Sequence, residues 1–404
     1  MYDVYEIRKD FPVLSRLINN HPNTFLDTSA SAQKPQVVIE AMRKIYSDEY
    51  ANVHRGSYLL SEEITSDYEK ARKIVQKFLN ASSDKEIIFT RNATESINLV
   101  ASTWGRKFIC SGDEILISQA EHHANLIPWQ VLAEQTGAKL VVFAIKDDGS
   151  YDEEAFAQKL SSKTKLVAVT AMSNVLGTIF PIKQITQQAH ALGAKVLVDA
   201  CQFAVHHQID VVDLDCDFLA FSGHKTYGPS GIGVLYGKYQ LLEKMPPYQF
   251  GGDMVEQVSY EKTTFDLPPA RFEAGTPAIV EAIALGVALE YMMNLGLANI
   301  TKHETELVAY AHERFSEVKG FKEIGTAAGK GGVFSFVLGD IHPQDVAFIL
   351  DKEGVSIRTG HHCAQPLVER MGYTSLARAS LGLYSTKEDI DIFVAALKKA
   401  ETFF

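Results

Sequence analysis

Several things are scarce or missing in this 404-residue chain, and each absence excludes a class of function. No apolar run approaches the roughly 18 residues that a membrane-crossing helix requires. The opening segment, MYDVYEIRKDFPVLS, has no basic stretch followed by an apolar one, as a secretory signal needs, so a soluble, cytoplasmic protein is expected. Cysteine is sparse. The four, Cys110, Cys201, Cys216 and Cys363, are scattered and form no CxxC pair, which fits reduced thiols better than a disulfide framework or a structural zinc site. There is no basic excess either: 39 Lys and Arg stand against 50 Asp and Glu, a net charge of −11 that repels phosphate backbones and anionic lipid. Neither a nucleic-acid nor a membrane partner is expected.

What is present has the composition of a globular protein, 46% hydrophobic and 22% charged. The length exceeds the roughly 250–300 residues at which one core stops growing, so two lobes are expected. Six short apolar runs, KEIIFT (85–90), EILIS (114–118), KLVVFAI (139–145), KLVAVT (165–170), KVLVDA (195–200) and DFLAFS (217–222), alternate with segments of helical period such as 94–104, 127–137 and 182–193. That rhythm predicts an α/β fold, a mainly parallel sheet covered by helices. A long helical pattern after Pro277 leads into a second, smaller α+β lobe. The expected division is an N-terminal segment, 1–20, packing on the small domain; a large domain, 21–285; and a C-terminal domain, 286–404. The boundary is soft, because a helix joins the lobes without a linker.

Open parallel sheets gather ligands at the carboxyl ends of their strands. Asp199 closes one apolar run, where a carboxylate needs a cationic or hydrogen-bonding partner, and a protonated pyridine nitrogen is such a partner. Ser222, His224 and Lys225 follow the next run in SGHKTYGP. A lysine there is a candidate Schiff-base nucleophile, since partial burial favours its neutral amine. Each residue alone also fits a plainer role, a cap or ion pair for Asp199 and a solvated loop lysine for Lys225. Together, at successive strand ends, they favour cofactor chemistry. In RNATESIN the amides near Thr94 and Glu95, with the Thr94 hydroxyl, can cradle a phosphate or simply cap a helix. His122 follows another strand, placed to stack on a cofactor, to shuttle a proton, or to be a satisfied loop histidine. Cys363 lies in a polar Gly/His loop beside Arg358, surroundings that favour thiolate. The histidine pairs 122–123, 206–207 and 361–362 cannot chelate as neighbours in extended chain, and no metal is expected.

These residues sit in a series of ordered motifs: ANVHRGSYLLS, RNATESINLVA, AEHHANLIPWQ, SNVLGT, VDACQ, FSGHKTYGPSGIG, RFEAGTP, RTGHHCAQP and RASLGLY. In them, and over essentially the whole chain, the sequence resembles the fold-type I pyridoxal-phosphate enzymes of the class V aminotransferase kind, and within them the SufS-type (group II) cysteine desulfurases. The resemblance implies a pyridoxal 5′-phosphate cofactor on Lys225, with Asp199 at the pyridinium nitrogen, Gln202 at the ring hydroxyl and His122 stacked on the ring and relaying protons. It implies that Thr94, Ser222 and His224 hold the phosphate, helped by Thr276 of a partner subunit in a homodimer. It places Asn174, Arg358 and Arg378 against the substrate, with His54 and Arg55 lining the same pocket. Cys363 matches the catalytic cysteine, which takes sulfur from L-cysteine as a persulfide, leaves alanine, and passes the sulfur to a SufE-like acceptor for iron–sulfur cluster assembly. The short Arg358–Cys363 spacing matches group II. Cys201 departs from the pattern, standing where a small non-thiol residue is expected. A selenocysteine lyase uses the same residues and remains open. A kynureninase-like hydrolase or an aminotransferase needs no thiol nucleophile, so Cys363 counts against both, and a non-catalytic scaffold would bind no cofactor.

Overall fold

The computed structural model describes residues 2–403. Its large sheet has seven strands: β1 (Ile87–Thr90), β2 (Glu114–Ser118), β3 (Lys139–Phe143), β4 (Thr164–Thr170), β5 (Lys195–Asp199), β6 (Phe218–Ser222) and β7 (Gly233–Gly237). Across the sheet they run in the order β1-β7-β6-β5-β4-β2-β3. Six strands share one direction, and β7 runs against both its neighbours. The six are the apolar runs of the sequence. β7 has only three residues between its bounding glycines and does not stand out there, and it is what lets β1 join the sheet.

Side chains alternate between two apolar faces, as a strand's period of two requires. Val167, Val196 and Leu219 pack into one core, while Leu166, Leu197 and Ala220 pack into another on the opposite face. Helices cover both sides, among them α1 (Leu59–Leu79), α2 (Ala93–Val100), α3 (Ile127–Thr136) and α4 (Ile182–Ala191). The helical stretches anticipated at 94–104, 127–137 and 182–193 form there. Gly233 opens β7 where an added Cβ would lie 2.5 Å from the Asn92 Cα, so only glycine lets the turn before α2 press against the sheet.

The long helix α5 (Ile279–Leu295) is apolar on most of its circumference and largely buried. It bends by 71° at Gly296 into α6 (Leu297–Phe315). No single helix among the described residues is long and apolar enough to cross a membrane. Beyond α6 a four-stranded antiparallel sheet forms from β8 (Phe321–Ile324), β9 (Val333–Leu338), β10 (Arg358–Gly360) and β11 (Leu376–Ser380), in the order β8-β9-β11-β10. The N-terminal segment reaches this lobe, Arg8 pairing with Asp389 at 2.8 Å, and so does the chain just past its expected bound at residue 20, where Thr24–Phe25 lies parallel to Val355–Ser356.

Two segments hold the lobes together. Ser335 donates its hydroxyl to the Val175 carbonyl at 2.6 Å, and Gly331 N–H donates to Gly177 O at 2.9 Å. Gly177 has φ +71°, and a Cβ there would meet the Gly331 and Val333 carbonyls at 2.9 Å, so the interface requires glycine.

Candidate active site

A cavity of about 420 Å³ lies between the strand ends of the large sheet and the small lobe. Thr94, His122, Asn174, Asp199, Gln202, Ser222, His224, Lys225, Arg358, Cys363 and Arg378 all line it. Residues separated by up to 284 positions therefore share one cavity, those of the large domain at or after the ends of its strands and Arg358, Cys363 and Arg378 from the small lobe.

Asp199, the last residue of β5, is 4% exposed. Its Oδ1 accepts from the Cys201 amide at 3.0 Å, and among the described residues no cation pairs with it. A buried carboxylate with so little compensation calls for a cationic ligand group. Gln202 donates Nε2 to the Ser29 carbonyl at 2.8 Å, while its buried Oε1 has no partner among the described residues, leaving an acceptor for a hydroxyl. Lys225 is half-buried, and among the described residues its amine has neither an ion pair nor a hydrogen bond. Each of these three open valences suits a pyridoxal ring and the linkage to its aldehyde, so the residues present fit that cofactor.

At the other end of the ring site, Asn92 caps α2 by accepting the Glu95 amide at 2.9 Å. The expectation that the Glu95 amide helps cradle phosphate is corrected here, because the cap already uses it. The Ser222 hydroxyl accepts from the Ala93 amide at 2.9 Å. Thr94, at the second helical position, keeps both an amide without an intrahelical acceptor and a hydroxyl facing the cavity. Burial, Lys225 and Lys34 bring the His224 imidazole down to about 4.

His122 accepts the Ala124 amide at Nδ1, 3.0 Å away. Burial and then Lys225 lower it to about 4, so the ring is neutral at physiological pH. Behind it lies Glu121, absent from the sequence reading, which accepts from Ser118 Oγ, from Asn125 Nδ2 at 2.7 Å and from the Thr170 amide at 3.0 Å. Burial pushes this carboxyl up to about 8. It ties the ends of β2 and β4 together and sets the turn from which His122 projects.

On the small-lobe side Arg378 is 2% exposed and donates Nη1 to the Asn174 carbonyl at 2.9 Å. Its buried Nε has no partner among the described residues, and burial brings its guanidinium down to about 10. Arg358 forks onto Asp27 at 2.8 Å, and Arg378 approaches the same carboxylate at 3.4 Å. Two guanidiniums thus share one carboxylate, leaving net positive charge for a substrate carboxylate. Asp27 also went unread in the sequence, where it looks like the end of a short strand. The guanidinium expected to favour a Cys363 thiolate is occupied by Asp27.

Cys363 is exposed at the cavity mouth. It sits in a tight turn closed by the Ala364 amide on His361 O at 2.9 Å, with φ +52° at His362 and +55° at Cys363. Two consecutive left-handed, non-glycine residues make this a type I′ arrangement that costs on the order of 1–3 kcal/mol for each residue. Asn174 Nδ2 holds the His362 carbonyl at 2.8 Å, and His362 Nε2 donates to Leu376 O at 3.1 Å. Cys201 lines the cavity too, but burial and Asp199 push its thiol up to about 12.

Three expected residues lie elsewhere in the chain. His54 binds Glu69 at 3.0 Å, Arg55 binds Asp253 at 2.8 Å, and Thr276 is exposed; none lines the cavity. The expectation that His54 and Arg55 line the same pocket is therefore corrected for a single subunit. Their own carboxylate partners draw them to α1 and to the 250s loop.

Against known proteins, the model of the aminotransferase class-V family matches residues 24–393. A probable cysteine desulfurase of Halalkalibacterium halodurans is 48% identical over 100% of this chain and 99% of its own length. The cysteine desulfurase of Dickeya dadantii is 49% identical over 98% of this chain and 97% of its own. That of Synechococcus elongatus, 45% identical over 99% of this chain, is longer, and the chain spans 64% of it. Among solved structures, a cysteine desulfurase from Escherichia coli superposes with a TM-score of 0.92 at 38% identity, covering 100% of both chains.

Proposed function

We propose a function from the premise that this chain belongs to the class-V aminotransferase family, with cysteine desulfurases as full-length relatives. It is a pyridoxal-phosphate-dependent cysteine desulfurase that releases sulfur from L-cysteine. The observation that carries this is the meeting, in one cavity, of an unpaired lysine, a buried carboxylate without a cation, two arginines and a cysteine at the mouth.

The residues that would hold the cofactor are Lys225, covalently, Asp199 for the pyridine nitrogen, Gln202 for the ring hydroxyl, His122 for the ring face, and Thr94, Ser222 and His224 for the phosphate. When bound, the cofactor supplies an electron sink that weakens bonds at the substrate α- and β-carbons. Arg378 and Arg358 fix the substrate α-carboxylate, the former through the Nε left without a partner. Asn174 orients Arg378 through its carbonyl and the Cys363 turn through its amide. The His122 ring, neutral and with Nδ1 accepting the Ala124 N–H, carries its proton on Nε2, where it can donate it and take it back. The Cys363 sulfur attacks the substrate sulfur: an S–S bond forms as the C–S bond breaks, alanine remains after proton uptake, and Cys363 carries a persulfide. The narrow turn around Cys363 limits how far that persulfide travels.

The finer reading is group II: a cytoplasmic homodimer in which the partner subunit's Thr276 completes the phosphate site. It passes sulfur to a SufE-like acceptor carrying its own cysteine, for iron–sulfur cluster assembly. The short loop at Cys363 supports the group. The direct test is to incubate the purified protein with L-cysteine, quantify alanine, and map bound sulfur by mass spectrometry. Stoichiometric persulfide on Cys363 is expected; alanine without it, or sulfur on Cys110, Cys201 or Cys216, overturns the reading.

A further inference from the structure

The turn that presents Cys363 is strained, and besides Asn174 and His362 a third side chain, His123, helps to hold it. The helix after the cysteine, α7 (Gln365–Arg370), has no N-cap of its own, because Ala364 offers no side-chain acceptor. The first amides of a helix need partners outside it. Ala364 O takes those of Leu367 and Val368, and Pro366 has none to offer. The Gln365 amide is left over, and His123 Nε2 accepts it at 3.1 Å. The His123 backbone N–H donates to the Cys363 carbonyl at 2.7 Å. One residue of the large domain therefore grips the cysteine loop at two points, the Cys363 carbonyl and the Gln365 amide just after it. Because an N–H donates to Nε2, that nitrogen is unprotonated, and the ring proton sits on Nδ1. Burial and the neighbouring His361 hold the imidazole below its ordinary value, consistent with a neutral acceptor.

We infer that His123 is a positioning residue for the desulfuration step: its neutral ring caps α7 from outside and keeps the Cys363 sulfur aimed into the cavity. This deepens the proposed function and rests on Cys363 being the nucleophile. The role is distinct from that of His122, whose ring faces the cofactor site, although the two are adjacent. Since His123 touches neither substrate nor cofactor, its loss should leave the carboxylate pocket intact and misplace only the attacking sulfur. A misplacement of about an ångström is enough to cost on the order of tenfold to a hundredfold in rate.

The test uses the cofactor-loaded, full-length protein and three variants: His123→Ala, His123→Gln and Cys363→Ser. Glutamine carries an oxygen near the Nε2 position and can accept the same amide; alanine cannot. In His123→Ala, kcat for alanine formation from L-cysteine should fall at least about tenfold with KM within about threefold. Amide hydrogen exchange in the 361–366 peptide should rise in the same variant. His123→Gln should restore most of both. Wild-type kcat and exchange in His123→Ala overturn the inference, as does a glutamine variant no better than alanine. Should the alanine variant fail to fold, the glutamine variant decides alone: near-wild-type exchange and kcat support the cap, and loss of both overturns it. Failure of the underlying reading is separate and visible. Cys363→Ser forming alanine at the wild-type rate removes the nucleophile and the positioning role with it, whereas unchanged exchange in His123→Ala beside an inactive Cys363→Ser removes the positioning role alone.

Discussion

In the proposed function Lys225 and Cys363 divide the chemistry between them, and single substitutions should separate their contributions. Among the described residues nothing pairs with the Lys225 amine, and it is the only lysine lining the cavity, so Lys225→Ala should abolish the visible absorbance of the lysine-bound cofactor. Turnover should drop by roughly 10²-fold or more; retained absorbance with normal turnover would count against the assignment. Cys363→Ser exchanges a thiol, ordinarily titrating near ~8.5, for a hydroxyl that stays protonated at neutral pH. Cofactor uptake and the spectral change on adding L-cysteine should persist while alanine release falls to background, which a stopped-flow trace paired with an alanine assay will show. Asp199 and Lys225 were legible in the sequence because a polar residue interrupts an apolar run at a strand end. Asp27, Glu121 and His123 were not: Asp27 acts on Arg378 across 351 positions, and no local pattern marks such a partner.

Elements meet at points where only a backbone fits. The turn at Gly177 combines φ +71° with two carbonyls 2.9 Å from where a Cβ would sit. Gly177→Ala should therefore destabilise the protein by about 1–3 kcal/mol, read as a lowered denaturant midpoint with an unchanged slope. Since Asn174, Val175 and Gly177 lie on the same segment, the variant should also raise KM for L-cysteine through the Arg378–Asn174 contact. A midpoint equal to wild type would show that the lobes can part here without cost. The sequence showed this segment as SNVLGT but could not show what it touches, because the contact depends on how β9 docks.

For the molecule as a whole, the buried histidines set the acid limit. Burial lowers His122, His207 and His224 to about 4 and His362 to about 3, from an ordinary value of 6.5. A histidine depressed in the folded state takes up its proton more readily when unfolded, so stability is complete above about pH 6.5 and is lost as pH falls toward 4. Glu121 works in the opposite sense. Its carboxyl is raised to about 8, so its neutral form suits the fold, and its contribution is lost as pH rises from 4.5 through 8. Thermal melts of the protein freed of its cofactor should show Tm falling between pH 6.5 and 4. Glu121→Gln should flatten the decline on the alkaline side; a Tm independent of pH over 4 to 6.5 would contradict the burial of these rings.

The sequence alone determined the alternation of strands and helices, the polar punctuation at the strand ends, and the order of motifs. All three depend on near neighbours: a period of two or 3.6 residues and the residue that ends it. The tertiary structure decided the rest. The antiparallel β7 is placed by pairing with strands more than a hundred residues away on one side. The sharing of Asp27 by two arginines and the double hold of His123 on the Cys363 turn arise only once the lobes dock, whereas His54 and Arg55 meet their own carboxylates through packing within the large domain. Local periodicity is written into each segment by steric and hydrophobic preference, whereas the partners of a buried charge or an orphan amide are chosen by packing between segments far apart in the chain.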